Sequence, residues 1–187
     1  ATSLRAALFQ TRFSRYLSLD ASGQVVDTDE GPVPEYVFRG VRARLTGFEL
    51  EGRTRVPLSA GLAVELSGTL DRVTGDNLDA GEPLPRLAPL RARVAAELRG
   101  AGWHAGAGLR HAARQTRVPA TDTATPGATV LDLWAAGDLP ALGTTQWFAK
   151  LTNAGNELAY NAAAVSTIRG LAPQAGRALT VGLRTRF

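Results

Sequence analysis

Hydrophobic and polar residues alternate one by one along much of this chain, and strict alternation marks a β-strand with two different faces. Residues 58–71, LSAGLAVELSGTLD, show it most fully. Leu58, Ala60, Leu62, Val64, Leu66, Gly68 and Leu70 share one face, while Ser59, Gly61, Ala63, Glu65, Ser67, Thr69 and Asp71 share the other. Residues 90–99, LRARVAAELR, repeat the pattern. Ala, Leu, Arg and Glu are also good helix formers. At helical spacing, however, Leu90, Val94 and Leu98 leave only a thin stripe, whereas the alternation is complete, so strand is the better reading. The same template fits residues 3–14 (Ala7, Phe9, Thr11 and Phe13 outward), 42–54 (Phe48, Leu50), 102–114 (Trp103, Ala105, Ala107, Leu109), 128–137 (Leu131, Leu133), 144–153 (Trp147, Ala149, Leu151) and 176–187. The pattern predicts an all-β protein with eight antiparallel meander strands, each about 9–13 residues long.

That length is informative. A strand crossing a membrane at a tilt needs about 9–11 residues, while strands in soluble sheets are commonly about 5–6. The connections alternate as well. Residues 55–57, 100–102 and 138–143 are short, whereas 15–41, 72–89, 115–127 and 154–175 are long and rich in Gly, Pro, Asp, Asn and Thr. An outer-membrane barrel has this asymmetry, with short periplasmic turns and longer external loops. The faces differ too: one is apolar and nearly free of charge, and the other carries Glu49, Glu51, Arg53, Glu65, Arg91, Arg93, Glu97 and Arg110. Lipid tolerates no charge at mid-depth, and a lumen does. A soluble sandwich also alternates, but its inner faces need bulkier residues than the Ala and Gly found here. A membrane β-barrel is favoured, with a soluble all-β fold as the competitor.

Composition narrows the chemistry. The 187 residues carry no cysteine, two histidines and a net charge of +4, and Lys150 is the only lysine. Disulfides and thiolate sites are excluded, and a histidine-rich metal site is disfavoured. A basic balance suits nucleic acid only when the Arg cluster on one face or helix; here they are spread along the chain, so no nucleic-acid partner is expected. No apolar run is long enough for a membrane-spanning helix. The start, ATSLRAALFQTRFSRY, lacks the parts of a signal peptide.

Five arginines stand out. Arg91, Arg93, Arg99, Arg110 and Arg114 fall on the inward face of one hairpin, either as a basic wall for an anionic chelate or as partners of Glu97 and neighbouring acids. Local pairing is the more economical reading. His104 and His111 lie seven apart, on opposite faces, so they are not a ligand pair. Trp103, Trp147 and Phe187 fall on the outward parity near the short-turn end, where membrane barrels place an aromatic girdle. Asp71, Asp76, Asn77, Asp79 and Glu82 crowd one region without matching the calcium-loop spacing, which reads as a solvated loop. No nucleophile–base set, zinc motif or phosphate-cradling loop is present, so neither an enzyme nor a cofactor is expected.

Several stretches together resemble the barrel of the TonB-dependent outer-membrane receptors. They are FRGVRARLTGFELEGRTRV (38–56), LPRLAPLRARVAAELRGAGWHAGAGLRHAARQTRV (84–118), TPGATVLDLWA (125–135) and, most closely, WFAKLTNAGNELAYNAAAVSTIRGLAPQAGRALTVGLRTRF (147–187). The resemblance implies a plugged barrel of the 22-strand class in the bacterial outer membrane. It also implies uptake of a siderophore, metal complex or similar scarce nutrient with energy relayed by TonB. The expectation is that residues 1–187 are the last eight strands of such a receptor, without its plug; the alternative is a small standalone barrel with a structural or adhesive role. The ending resembles the signal read by the barrel-assembly machinery, matched by Thr180, Gly182 and Phe187, with Thr185 where an aromatic is usual.

Overall fold

In a computed structural model, which describes residues 1–29 and 31–185, the alternating segments become one antiparallel sheet. Its strands are β1 (Thr2–Thr28), β2 (Gly31–Ser59), β3 (Leu62–Asn77), the two-residue β4 (Glu82–Pro83), β5 (Arg91–Gly100), β6 (Trp103–Ala112), β7 (Ala128–Leu139), β8 (Thr145–Thr152) and β9 (Ala178–Arg184). Each long strand pairs with the next in sequence, and β4 adds to the end of β3. Among the described residues, β9 does not pair with β1, so the sheet is open. A single helical turn, α1 (Ser166–Arg169), interrupts the last long loop.

The register fixes the two faces, because directly paired residues point the same way. One row runs Thr2, Thr54, Leu66, Ala96, Ala107, Leu133, Leu151, Leu179 across the eight long strands. A row on the opposite face, three residues along, runs Arg5, Glu51, Thr69, Arg93, Arg110, Val130. The apolar and charged sets expected of 90–99, and of 58–71 from Leu62 onward, are therefore segregated across the eight long strands; residues 58–61, expected in the same strand, are the end of β2 and the turn after it. The turns are tight where glycine allows it: Gly61 (φ +78°) and Gly102 (φ +74°) take the left-handed conformation that two-residue hairpins require.

Three expectations fail along β1 and β2. Residues 15–41, expected as a long loop, are mostly strand: β1 and β2 pair from Thr2 out to Thr28 and Gly31. Bulges between Phe13 and Tyr16 and between Ala21 and Val25 interrupt the alternation there, so no clean pattern was present to read. Residues 55–57 are not a turn, since β2 continues to Ser59 and the chain reverses at Ala60–Gly61. The parity of the first strand is also reversed. Leu4 and Leu8, 73% and 87% exposed, share the apolar face, while Ala7, Phe9, Thr11 and Phe13 lie on the charged side. Phe9 lies over Gly47, where a Cβ would come 2.5 Å from its ring, and Phe13 packs edge-on to Tyr16 at 5.5 Å.

Almost nothing underlies this sheet. The buried apolar residues among those described are Val41, Ala43, Ala63, Leu84, Val130, Ala159 and Ala162. The one compact cluster, Val41, Ala43 and Leu84 with Phe13, Tyr16, Leu45 and Leu87, sits at the loop-bearing end, where the chain after β4 folds across the charged side of β2 and β3. A globular domain buries its apolar face against a second layer; this sheet leaves its apolar face open.

Candidate functional site

The charged face of β3, β5, β6 and β7 is built from cross-strand ion pairs. Arg91 donates to Asp71 at 2.7 and 2.9 Å, and Arg110 donates to Asp132 at 2.8 Å. Arg99 sits between Glu97 (2.5 Å) and Glu65 (3.2 Å). The Trp134 indole N–H donates to the other oxygen of Glu97 at 2.5 Å. Its ring covers Gly106 and Gly108, which leave room for it on the neighbouring strand. Arg93 stands between Thr69 and Arg110 in its row and has no hydrogen-bond or ion-pair partner among the described residues. Arg114 lies past the end of β6 and lines a different pocket, with Arg72 and Arg117. Of the five arginines singled out by spacing, four share one face; three of these four are paired, and the fourth, Arg93, is not.

A cavity of about 320 Å³ lies above this wall. Arg91, Arg93 and Arg110 contribute on the strand side, and Ala159, Tyr160 and Gln174 on the other. The loop 154–175 is folded over the wall by Asn153, which takes a positive φ of 48°. Its N–H donates to Asp132 at 2.9 Å, and its side chain bonds both the N–H and the C=O of Glu157 and the carbonyl of Ala175. A second anchor is Arg169 in α1. It donates to both oxygens of Asp122 (3.0 and 3.1 Å) and to the carbonyls of Thr123 and Ala164, with both charged side chains under a tenth exposed. Arg86 bonds the Ala163 carbonyl, and the Tyr36 hydroxyl bonds Ser166 at 2.9 Å. The long connections thus form one tied assembly at one end of the sheet.

Three of the four acidic residues of 71–82 are spent within the fold, and Glu82 contributes only its backbone, paired with Asn77. Asp71 is held by Arg91, Asp76 by Arg44 and Arg117, and Asp79 by the backbone N–H (2.7 Å) and guanidinium of Arg42. Asn77 accepts from the N–H of Asp79 and of Ala80 and so closes the turn. The Arg44 hydrogen bond holds the Asp76 carboxyl below its ordinary value of 3.8, with Arg117 adding to it; the Arg42 N–H does the same for Asp79. Among the described residues, no three His, Asp or Glu side chains gather as a metal site. His104 lies in the row of Arg99 and Ala136; His111 lies on the opposite face, within 2.8 Å of the Thr129 hydroxyl.

Trp103 and Trp147 flank Gly137 in one row on the apolar face, with Leu183 next. Thr180 and Gly182 lie on the charged face of β9, opposite Lys150 and Phe148. Phe187 lies outside the described residues. Spacing missed Trp134, Asn153 and the Arg169–Asp122 pair, because each depends on a partner at least one strand or loop away.

A family model described as TonB dependent receptor-like, beta-barrel matches residues 1–153. No curated protein matches. Among solved structures, the chain superposes on one titled copper transporter OprC with a TM-score of 0.76 and 18% identity, covering 97% of this chain and 28% of that one. At that identity the likeness shows the fold, and this chain spans little more than a quarter of the longer one.

Proposed function

Because the chain belongs to the TonB-dependent receptor β-barrel family, we propose that it is the C-terminal part of the wall of an outer-membrane receptor that imports a scarce metal complex. The observation that carries this reading is the single-layer sheet with one continuous, uncovered apolar face and an ion-paired opposite face. Lipid covers a face of the first kind, and a polar, plugged lumen covers the second. Trp103 and Trp147 then stand in the interfacial girdle at the short-turn end. The tied loops stand at the external mouth, and TonB acts from the opposite side through a plug supplied by the rest of the receptor. The last strand, with Thr180, Gly182 and Phe187, serves as the signal for the barrel-assembly machinery.

The wall favours an anionic cargo. Arg93, with Arg91 and Arg110 beside it, presents an uncompensated positive charge to the cavity under the 154–175 loop. A positive wall concentrates an anionic chelate such as a ferric siderophore. The copper named for OprC suggests a metal cargo in general and no particular one. The standalone structural barrel is the weaker reading, because β1 and β9 remain unpaired edges among the described residues.

Uptake in cells tests this. Deleting the gene should abolish uptake of at least one complex in a panel of radiolabelled ferric, cupric and cobalt chelates. Collapsing the inner-membrane proton gradient in wild-type cells should abolish the same uptake. Unchanged uptake across the panel, with the protein absent from the outer-membrane fraction of wild-type cells, would overturn the proposal.

A further inference from the structure

The apolar face carries two features that the transport reading does not use. The first is a shallow apolar groove of about 770 Å³. Gly52, Gly68, Ala96 and Ala107 are the small residues of its lining, and Leu4, Leu66, Val94 and Leu109 rise among them. All eight belong to two adjacent rows of the apolar face. The second is a concentration of arginine toward the loop-bearing end of the same sheet. Arg12, Arg44 and Arg72 follow the apolar positions of β1, β2 and β3 on the same parity as Leu8, Phe48 and Leu70. Arg114 and Arg117 join Arg72 around a pocket of about 260 Å³ that no acidic residue lines. Asp76 is the carboxylate available to this group, and it is already shared by Arg44 and Arg117. Arg12, Arg72 and Arg114 are exposed and make no ion pair among the described residues.

We propose that these two features form a seat for one phosphate-bearing, acylated lipid of the outer leaflet, with its phosphate on Arg72 and Arg114 and an acyl chain in the groove. The proposal rests on the reading of this face as lipid-facing. Gly68 and Arg72 are four residues apart on one strand, about 13 Å at a rise of roughly 3.3 Å per residue. With strands tilted near 45°, that is about 9 Å of depth, within one leaflet of a hydrocarbon core about 30 Å thick. A chain hanging from a phosphate held by Arg72 therefore passes Leu70 and enters the groove. Arginine suits the other end, since its planar fork holds two phosphate oxygens at once. The glycines and alanines of the lining leave depth between Leu66 and Val94 that larger side chains at those four positions would fill.

Native mass spectrometry on the protein purified from outer membranes in detergent tests the seat. The probes are lipid A carrying its two phosphates, the same lipid dephosphorylated, and inorganic phosphate. The phosphorylated lipid should be retained at least fivefold over the dephosphorylated one. Arg72→Gln combined with Arg114→Gln should remove that preference while leaving retention of the dephosphorylated lipid unchanged. Gly68→Leu should lower retention of both lipids severalfold and keep the preference. A Cβ at Gly68 comes no closer than 3.5 Å to any neighbouring atom, so this variant fills the groove without forcing the backbone. Equal retention of both lipids by the unmodified protein would overturn the seat. Displacement of the lipid by millimolar phosphate alone would also overturn it, leaving a plain anion site. Failure of every lipid to bind would instead count against the lipid-facing reading itself.

Discussion

Arg93 and Val94 are neighbours in β5, yet they belong to two different solvents. Val94 is 55% exposed and shares its row with Leu4, Gly52, Gly68, Leu109 and Leu131, without a polar side chain among them. Arg93 shares its row with Arg5, Glu51 and Arg110, and almost every charge around it has a partner. The charged side tolerates ions because it supplies counter-ions; the apolar row of Val94 supplies none. The chain writes this difference into every second residue, so a one-residue slip of register would exchange the two environments. Among the described residues the register shifts lie in β1 and near the end of β2, between Pro57 and Ser59, outside the rows of Arg93 and Val94.

The contrast breaks most severely where a charge on the inner side loses its counter-ion under full burial. Asp122→Ala leaves the Arg169 guanidinium buried without its carboxylate, and losing one partner of such a pair costs about 3–5 kcal/mol. Hydrogen exchange should show lost protection in residues 115–127 and 154–175 and none in β5–β6. Placing a charge on the apolar face comes next. Val94→Arg should destabilise the folded protein in bilayers by about 2–4 kcal/mol, the cost of Arg at mid-depth. The reverse change at its neighbour, Arg93→Val, should move stability by no more than about 0.5 kcal/mol, because Arg93 has no partner to lose. Equal effects in urea titrations of the two variants would remove the distinction between the faces.

A smaller effect belongs to the loop-bearing end and comes from pH. Asp76 and Asp79 have carboxyls held below their unfolded value of 3.8, so their contribution is complete above that value and is lost as pH falls through their lower, folded values. The amide of Arg42, which donates to Asp79, should lose protection in that acid range, measured as a protection factor that divides out intrinsic exchange. The amides of β5 and β6 should keep theirs.

How far the sequence could be read differs between two hairpins. In β5–β6 the alternation is unbroken, the reversal is marked by Gly102, and both strands begin and end close to where the pattern put them. In β1–β2 the two bulges scramble parity, and Pro32 and Pro34 look like loop residues although they pair with Asp27 and Val25. Two hairpin partners that extend beyond the rest of the sheet need only each other, so strict alternation is no longer demanded there. In β1, Phe9 and Phe13 outweigh Leu4 and Leu8 in bulk, so the sequence alone points the strand the other way; Gly47, on the partner strand, gives Phe9 its place on the charged side. The arginine wall was legible as a set of residues on one face. Which of them are neutralised was not, because the counter-ions Asp71 and Asp132 lie on adjacent strands and were fixed only by register. Trp134 was hidden for the same reason, since its acceptor is two strands away on β5.

The absence of cysteine allows the central claim to be tested at single positions. Arg93→Cys and Val94→Cys, each labelled with a bimane fluorophore in the protein reconstituted into vesicles, place one probe on each face of the same strand. The account predicts that brominated acyl chains quench the probe at position 94 strongly and leave that at position 93 unquenched, while aqueous iodide does the opposite. Quenching of both positions alike by iodide, with none by brominated lipid, would contradict a lipid-facing apolar surface.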